Sequence, residues 1–154
     1  MIDRLPDKDQ VVQACAGVVV VTHPVLLDAY ELASLHEARF GAGGSGEIDC
    51  ARRLLVRDID RWVSACAPQP VGAAYLHSET VGMVVDRLAE YCVQAHIALQ
   101  RGESELTLHY LWQRAAEMSL AYADLAFEVN CGRRRLPDLT DPTAVQGDSS
   151  EGDR

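Results

Sequence analysis

Six ionisable side chains carry the chemistry that this sequence could offer: His36, Glu37, Arg39, Arg52, His77 and Glu79. The first three stand in LASLHEARF, residues 32–40, where apolar residues otherwise surround them. On a helical wheel, Glu37 falls on the face of Leu26, Ala29, Tyr30, Ala33 and Phe40, with His36 on its edge. On the next helix, Arg52 falls on the face of Ile48, Leu55, Ile59 and Trp62, and Asp58 lies on a flank. A short loop joins the two helices, so Glu37 and Arg52 are expected to meet beside it. Three chemistries fit that meeting. One is a partly buried ion pair with His36 as a hydrogen-bonded neighbour, since buried charges must be paired. Another is a pocket in which His36, Glu37 and Arg52 hold an anionic or polar ligand. The third is catalysis, although adjacent helical residues diverge by about 100°, so His36 and Glu37 make no acid–base pair by themselves. His77 precedes the fourth helix in line with its apolar stripe, and would enter the same end of the molecule as a ligand contact.

Other motifs exclude more than they suggest. A carboxylate-bridged di-metal centre needs Glu-x-x-His twice, and no Glu here has a His three residues later. No metal site and no cofactor are expected. His96 and His109 flank apolar faces, and each reads as a boundary residue. Glu79, Asp86, Glu90, Glu117, Asp124 and Glu128 fall opposite their apolar stripes and read as solvated. The glycine-rich GAGGSG, residues 41–46, follows a helix and not a strand, so it reads as a turn and not a phosphate loop. Arg133, Arg134 and Arg135 follow the last helix, where cations complement its negative end. Their other reading is a docking patch for an acidic partner or for the acidic end of this chain.

The elements that must position these groups are helical. Leu, Val and Ala dominate and aromatic residues make up only 6%, which favours packed helices over a sandwich of strands. A short helix is expected from Asp7 to about Ala16, and VVVVTHP reads as buried extended chain or a continuation of that helix. A second helix starts at Pro24, with Thr22 or His23 at its cap, and runs to Phe40. Being apolar nearly all round, it should be the most enclosed. The third runs from Glu47 to about Ala67, with Ser45 as cap, until APQPVG breaks it. The fourth is capped by Ser78 and carries the stripe Val81, Val84, Val85, Leu88, Cys92, Ala95 and Leu99 up to Gln100, with Gly102 just beyond. The fifth runs from Glu103 to Asn130. The expectation is an all-α domain over 1–137, an antiparallel bundle of four long helices plus the short first one. Residues 138–154 form a polar, acidic tail that reads as disordered.

Composition narrows the partners. The 154 residues carry a formal net charge of −9, of which residues 137–154 hold −4 and the body −5. An acidic body argues against nucleic acid, which needs a basic surface to displace counterions. The five cysteines are odd in number and form no CxxC pair, which argues for free thiols in a reducing cytoplasm. The start MIDRLPDKDQ is polar and no signal peptide, and ACAGVVVV is far short of the roughly 20 apolar residues of a membrane span.

Four segments, LHEARF, RRLLVRDIDRWV, LHSETVGMVVDRLAEY and LWQRAAEMSLAYADLAFEVNCGRRRLP, resemble the bacterial helical domain-of-unknown-function family numbered four thousand two hundred and fifty-four, over about residues 24–137. The resemblance implies a cytoplasmic, all-helical protein, with His36, Arg39, Asp58, Trp62, Glu79, Asp86, Arg87 and Trp112 in its recognisable segments. It implies no settled activity. Burial of Glu79 or Asp86 would mean that the fourth helix uses a second face, and would leave a homodimer open. The leading expectation is thus a binding or accessory protein, with a small-molecule ligand or a protein partner and a polar pocket where helices two, three and four meet. A small-molecule biosynthetic enzyme using His36, Glu37 and Arg52 is the alternative, and a purely structural homodimer is the third reading.

Overall fold

The computed structural model describes residues 4–42 and 46–139. Five helices follow in order: α1 (Lys8–Cys15), α2 (Pro24–Ala42), α3 (Gly46–Cys66), α4 (Val81–Gln100) and α5 (Glu105–Asn130). Among the described residues the protein is all-α apart from two short strands. These are β1 (Tyr75–Leu76) and β2 (Arg134–Arg135), paired in parallel with Tyr75 opposite Arg134. Among the described residues no helix is long and apolar enough to cross a membrane.

Local chemistry sets the helix ends. Asp7 and Gln10 form a reciprocal capping box at α1: the Asp7 carboxylate accepts from the Gln10 N–H at 2.9 Å, and the Gln10 side chain accepts from the Asp7 N–H at 3.1 Å. At α2 the cap is His23, whose Nδ1 accepts from the Val25 N–H at 3.1 Å while its ring packs on Trp62 at 4.6 Å. Pro24 opens the helix, as its missing N–H allows. The cap of α4 is Thr80 and not Ser78: the Thr80 hydroxyl accepts from the Met83 N–H at 3.2 Å. Gly102, just past α4, takes a positive φ of 66°. The expected Ser45 cap of α3 lies outside the described residues, as does the acidic tail from residue 140 on.

α4 is the central helix, packing against α1, α2, α3 and α5. Ten of its residues are buried, among them Val81, Val85, Leu88 and Ala95. Leu99, placed on the same stripe from the sequence, is exposed, and Ala98 beside it is buried in its place. The expectation that α2 is the most enclosed helix fails: Leu27, Tyr30 and Phe40 of α2 are all exposed. The apolar run at 18–21 also differs from expectation. It is neither helix nor buried strand, and Val20 is 69% exposed, while Val19 alone of the four rests on the core. With no neighbouring strand, its β propensity has nothing to pair with.

The first residues are locked onto α5. The Leu5 N–H donates to the Asn130 side chain at 2.9 Å, and the buried Tyr122 hydroxyl donates to the Pro6 carbonyl at 2.7 Å. All five cysteines are free thiols, with Cys15 and Cys92 buried.

A candidate arginine-lined cleft

α4 brings two buried faces to its neighbours. Beside the stripe through Val81, Val85 and Leu88 runs a second row of Gly82, Asp86, Ala89 and Val93 at helical spacing. Gly82, Ala89 and Val93 are buried, and Asp86 is half-buried with them. That row faces α3 closely at its start. A Cβ on Gly82 would stand 2.4 Å from the Val56 carbonyl oxygen and 2.8 Å from Asp60 Oδ1. Only glycine allows this approach. The Gly82 N–H uses it to donate to Asp60 Oδ1 at 2.8 Å, so the carboxylate stands at the positive end of α4. Burial pushes the Asp60 carboxyl up, against the Gly82 N–H and the Thr80 side chain, which pull it down.

One turn further along α4, Asp86 collects three hydrogen bonds. Its Oδ1 accepts from His36 Nε2 at 2.8 Å and from Arg52 Nε at 3.2 Å, and its Oδ2 accepts from Arg52 Nη2 at 2.7 Å. Arg52 thus grips the carboxylate with both prongs of its fork. Its third nitrogen, Nη1, donates to Asp49 at 3.0 Å, and Arg39 Nη1 donates to the same Asp49 oxygen at 3.2 Å. The chain of contacts His36, Asp86, Arg52, Asp49, Arg39 ties α2, α3 and α4 together. Burial pushes the Asp86 carboxyl up, but His36 and Arg52 outweigh it and hold it below the ordinary carboxylate value. The hydrogen bond to Asp86, against desolvation, holds the Arg52 guanidinium above its usual value. No buried side-chain nitrogen or oxygen among the described residues lacks a partner.

The expected contact of Glu37 with Arg52 does not form. His36 is 2% exposed and points inward, whereas Glu37 is exposed. Glu37 lies instead on a separate cleft of about 230 Å³ with Cys15, Tyr30 and His96. α2 is rotated so that the histidine, and not the glutamate, faces α4. His77 and Glu79 are also elsewhere. The Glu79 N–H donates to His77 Nδ1 at 3.0 Å in the turn before α4, and the Glu79 carboxylate pairs with Arg87. The His77 N–H extends the β1–β2 pairing by donating to the Arg135 carbonyl at 2.7 Å. Of the six residues chosen from sequence, His36, Arg39 and Arg52 belong to one cluster and the other three do not. Asp86, the residue at the centre of the cluster, was read as solvated. The row Gly82, Ala89 and Val93 was the signal that α4 has a second buried face.

The cluster forms one end of a cleft of about 1000 Å³ between α3, the start of α4 and the segment from Arg134 to Leu139. All but one of the 14 basic residues are arginine, and seven of the 13 arginines line this cleft. Four of them stand on α3: Arg52, Arg53, Arg57 and Arg61. The last three repeat every four residues and form one ladder along the helix. Arg134 and Arg135 stand on the opposite wall, where Arg134 is held by Glu128 at 2.6 Å. Arg53, Arg57, Arg61 and Arg135 make no salt bridge among the described residues. Among the described residues of the lining, the arginines face four carboxylates, those of Asp49, Asp60, Asp86 and Asp138. Apolar groups, including Val63, Pro68, Val129 and Leu136, complete the walls. The sequence reading named Arg52 on α3 and the Arg133–Arg135 triplet, but neither the ladder of Arg53, Arg57 and Arg61 nor its position across from that triplet.

No match to this chain was found among curated proteins or solved structures. A family model matches residues 46–137, a span holding α3, α4, α5 and both strands, and with them nearly the whole cleft. The match starts after His36, Glu37 and Arg39, so it is shorter than the resemblance read from about residue 24. Since it covers more than half of the 154 residues, the chain belongs to the family described as "Protein of unknown function (DUF4254)".

Proposed function

We propose that this chain is a binding or accessory protein whose cleft between α3, the start of α4 and residues 134–139 holds an anionic ligand. One observation carries the reading: a protein of net charge −9 places seven of its 13 arginines around one concavity. Four of them, Arg53, Arg57, Arg61 and Arg135, make no salt bridge among the described residues, and like charges so placed repel each other until an anion enters. A cleft with apolar walls also focuses the field and raises the local concentration of anions. The cluster of His36, Asp86, Arg52, Asp49 and Arg39 then serves as scaffold. Its charges satisfy one another, and it fixes the helices on which the unpaired arginines stand. The catalytic reading of His36, Glu37 and Arg52 draws no support from Glu37, which lies on the other cleft. The antiparallel arrangement of the four long helices, the cytoplasmic setting and the bacterial origin belong to this same reading.

A second reading rests on a different surface. Trp112, Leu120 and Phe127 recur along one exposed side of α5, with Ala116 and Ala123 between them. An apolar stripe of that length favours a protein partner or a second copy of the chain. Sedimentation of the protein across a range of concentrations tests for the second copy.

The ligand reading is tested by releasing small molecules from protein purified at low ionic strength and identifying them by mass spectrometry. The wild type should carry an anion that the charge-reversed variant Arg57→Glu/Arg61→Glu lacks. Identical profiles from both proteins would remove the reading.

A further inference from the structure

We infer that the anion held in the arginine cleft is an organic diphosphate: a pyrophosphate group along the α3 ladder, joined to an apolar or aromatic group against Val63, Pro68 and Leu136. The inference rests on the reading of the cleft as an anion site and specifies its ligand.

Three features lead to it. The first is the shape of the charge. Arg53, Arg57 and Arg61 stand at successive four-residue steps, so their Cα atoms rise along about 12 Å of α3. A row of this kind suits a ligand with several anionic centres in line, and gives a single small anion no preferred position. The guanidinium fork matches the paired oxygens of a phosphate, and Lys, a point charge, is absent from the lining. The second is the amount of charge. Among the described residues, seven arginines stand against four aspartates of the lining and Glu128, which holds Arg134, and this leaves an excess of two positive charges. An organic diphosphate carries roughly three negative charges at neutral pH, given a second phosphate pKa of about 6. The third is volume. About 1000 Å³ is at the upper end of the roughly 300–1000 Å³ typical of small-molecule sites. A bare diphosphate would leave most of it empty. The remainder is bounded by Val63, Pro68, Val129 and Leu136, which offer apolar contact and no charge.

Calorimetric titration at low ionic strength tests this with four probes: inorganic phosphate, inorganic pyrophosphate, adenosine diphosphate and a hexaglutamate peptide. Pyrophosphate should bind about tenfold or more tighter than phosphate, the scale expected for one additional charge-assisted contact. Adenosine diphosphate should bind at least as tightly as pyrophosphate. Arg57→Ala and Arg61→Ala should each weaken pyrophosphate about tenfold. Arg101→Ala, in the exposed turn after α4, should leave it unchanged. Because Arg57 and Arg61 are exposed, both variants should keep the wild-type circular dichroism, which is checked first. Equal affinity for phosphate and pyrophosphate, or loss of affinity in Arg101→Ala equal to that in Arg57→Ala, overturns the inference. Tighter binding of hexaglutamate than of pyrophosphate overturns it in favour of an acidic peptide. If the four probes fail while an anion of other chemistry still co-purifies, the diphosphate is wrong and the anion cleft stands. If nothing binds and nothing co-purifies, both fall.

Discussion

Asp86 accepts both prongs of Arg52 and the ring of His36, and each of these contacts crosses between helices. Its side chain is 17% exposed and that of Arg52 is 20%, so loss of either strands a largely buried charge. Arg52→Ala should cost about 2 kcal/mol, below the full range for wholly buried pairs because some water reaches both groups. Arg52→Ala/Asp86→Ala should cost less than the sum, with a coupling above about 1 kcal/mol in a double-mutant cycle by urea unfolding. A coupling near zero would show that the contact adds nothing. The same carboxyl has a pH signature. Its folded pKa lies below the ordinary 3.8, so its contribution is complete above that value and is lost as pH falls through the lower folded one. The acid limb of unfolding should therefore flatten in Asp86→Asn. The sequence pointed to Arg52 and to the need for a carboxylate partner, but chose Glu37. Neighbouring helical positions lie about 100° apart, and a wheel without the partner helices leaves the absolute rotation of α2 undetermined within that margin.

At the scale of elements, the crossing of α3 and α4 depends on a missing side chain. Gly82→Ala would improve the intrinsic helix propensity of α4 by roughly 1 kcal/mol. Its Cβ would nonetheless meet the Val56 carbonyl oxygen at 2.4 Å, and backbone cannot rotate away as a side chain can. The net effect should be a loss of about 2 kcal/mol, read as a lower melting temperature. An unchanged or raised value would mean that α3 gives way at little cost. Helix existence was legible from the sequence because the 3.6-residue apolar period and the prolines agree from α2 to α5, although the cap of α4 was placed two residues early. What was not legible came from packing. The strands β1 and β2 have two residues each, too short for any periodic signal, and exist because the end of α5 brings Arg134 beside Tyr75. The Val18–Val21 run has the composition of a strand and no strand beside it. Of the cleft, Arg134 and Arg135 were singled out from the sequence as a docking patch, whereas the arginines four residues apart on α3 were not read as a wall facing them.

Over the whole molecule, charge is sorted by side. α3 presents arginines to the cleft, while its Asp58 stands near Asp28 of α2, where Glu31 adds a third negative group. Desolvation first, then repulsion from Asp58 and Glu31, pushes the Asp28 carboxyl up to about 6 from an ordinary 3.8. Between those two values the folded chain holds a proton that the unfolded chain has released. The carboxyl therefore weakens the fold above about pH 6, and that cost disappears as the pH falls towards 4. Asp28→Asn should stabilise the protein at pH 7.5 by on the order of 1 kcal/mol, discounted because the group is only half-buried. In a chain of this size that is about 3 °C in melting temperature. The gain should shrink to nothing near pH 4, and a gain independent of pH would point to a cause other than this titration.

The bond between Leu5 and Asn130 joins positions 125 residues apart. On a ribosome that distance is time. At about 5–20 residues per second, on the order of ten seconds pass between synthesis of the first partner and arrival of the second. During that interval α1 can pack on α2 and then on α4, but its contacts with α5 are completed only at the end. The opposite wall of the cleft, Arg134 and the residues after it, emerges later still. A nascent chain therefore has the α3 arginines long before it has a cleft, and the concave site and the anchored N-terminal segment are completed in the same late step.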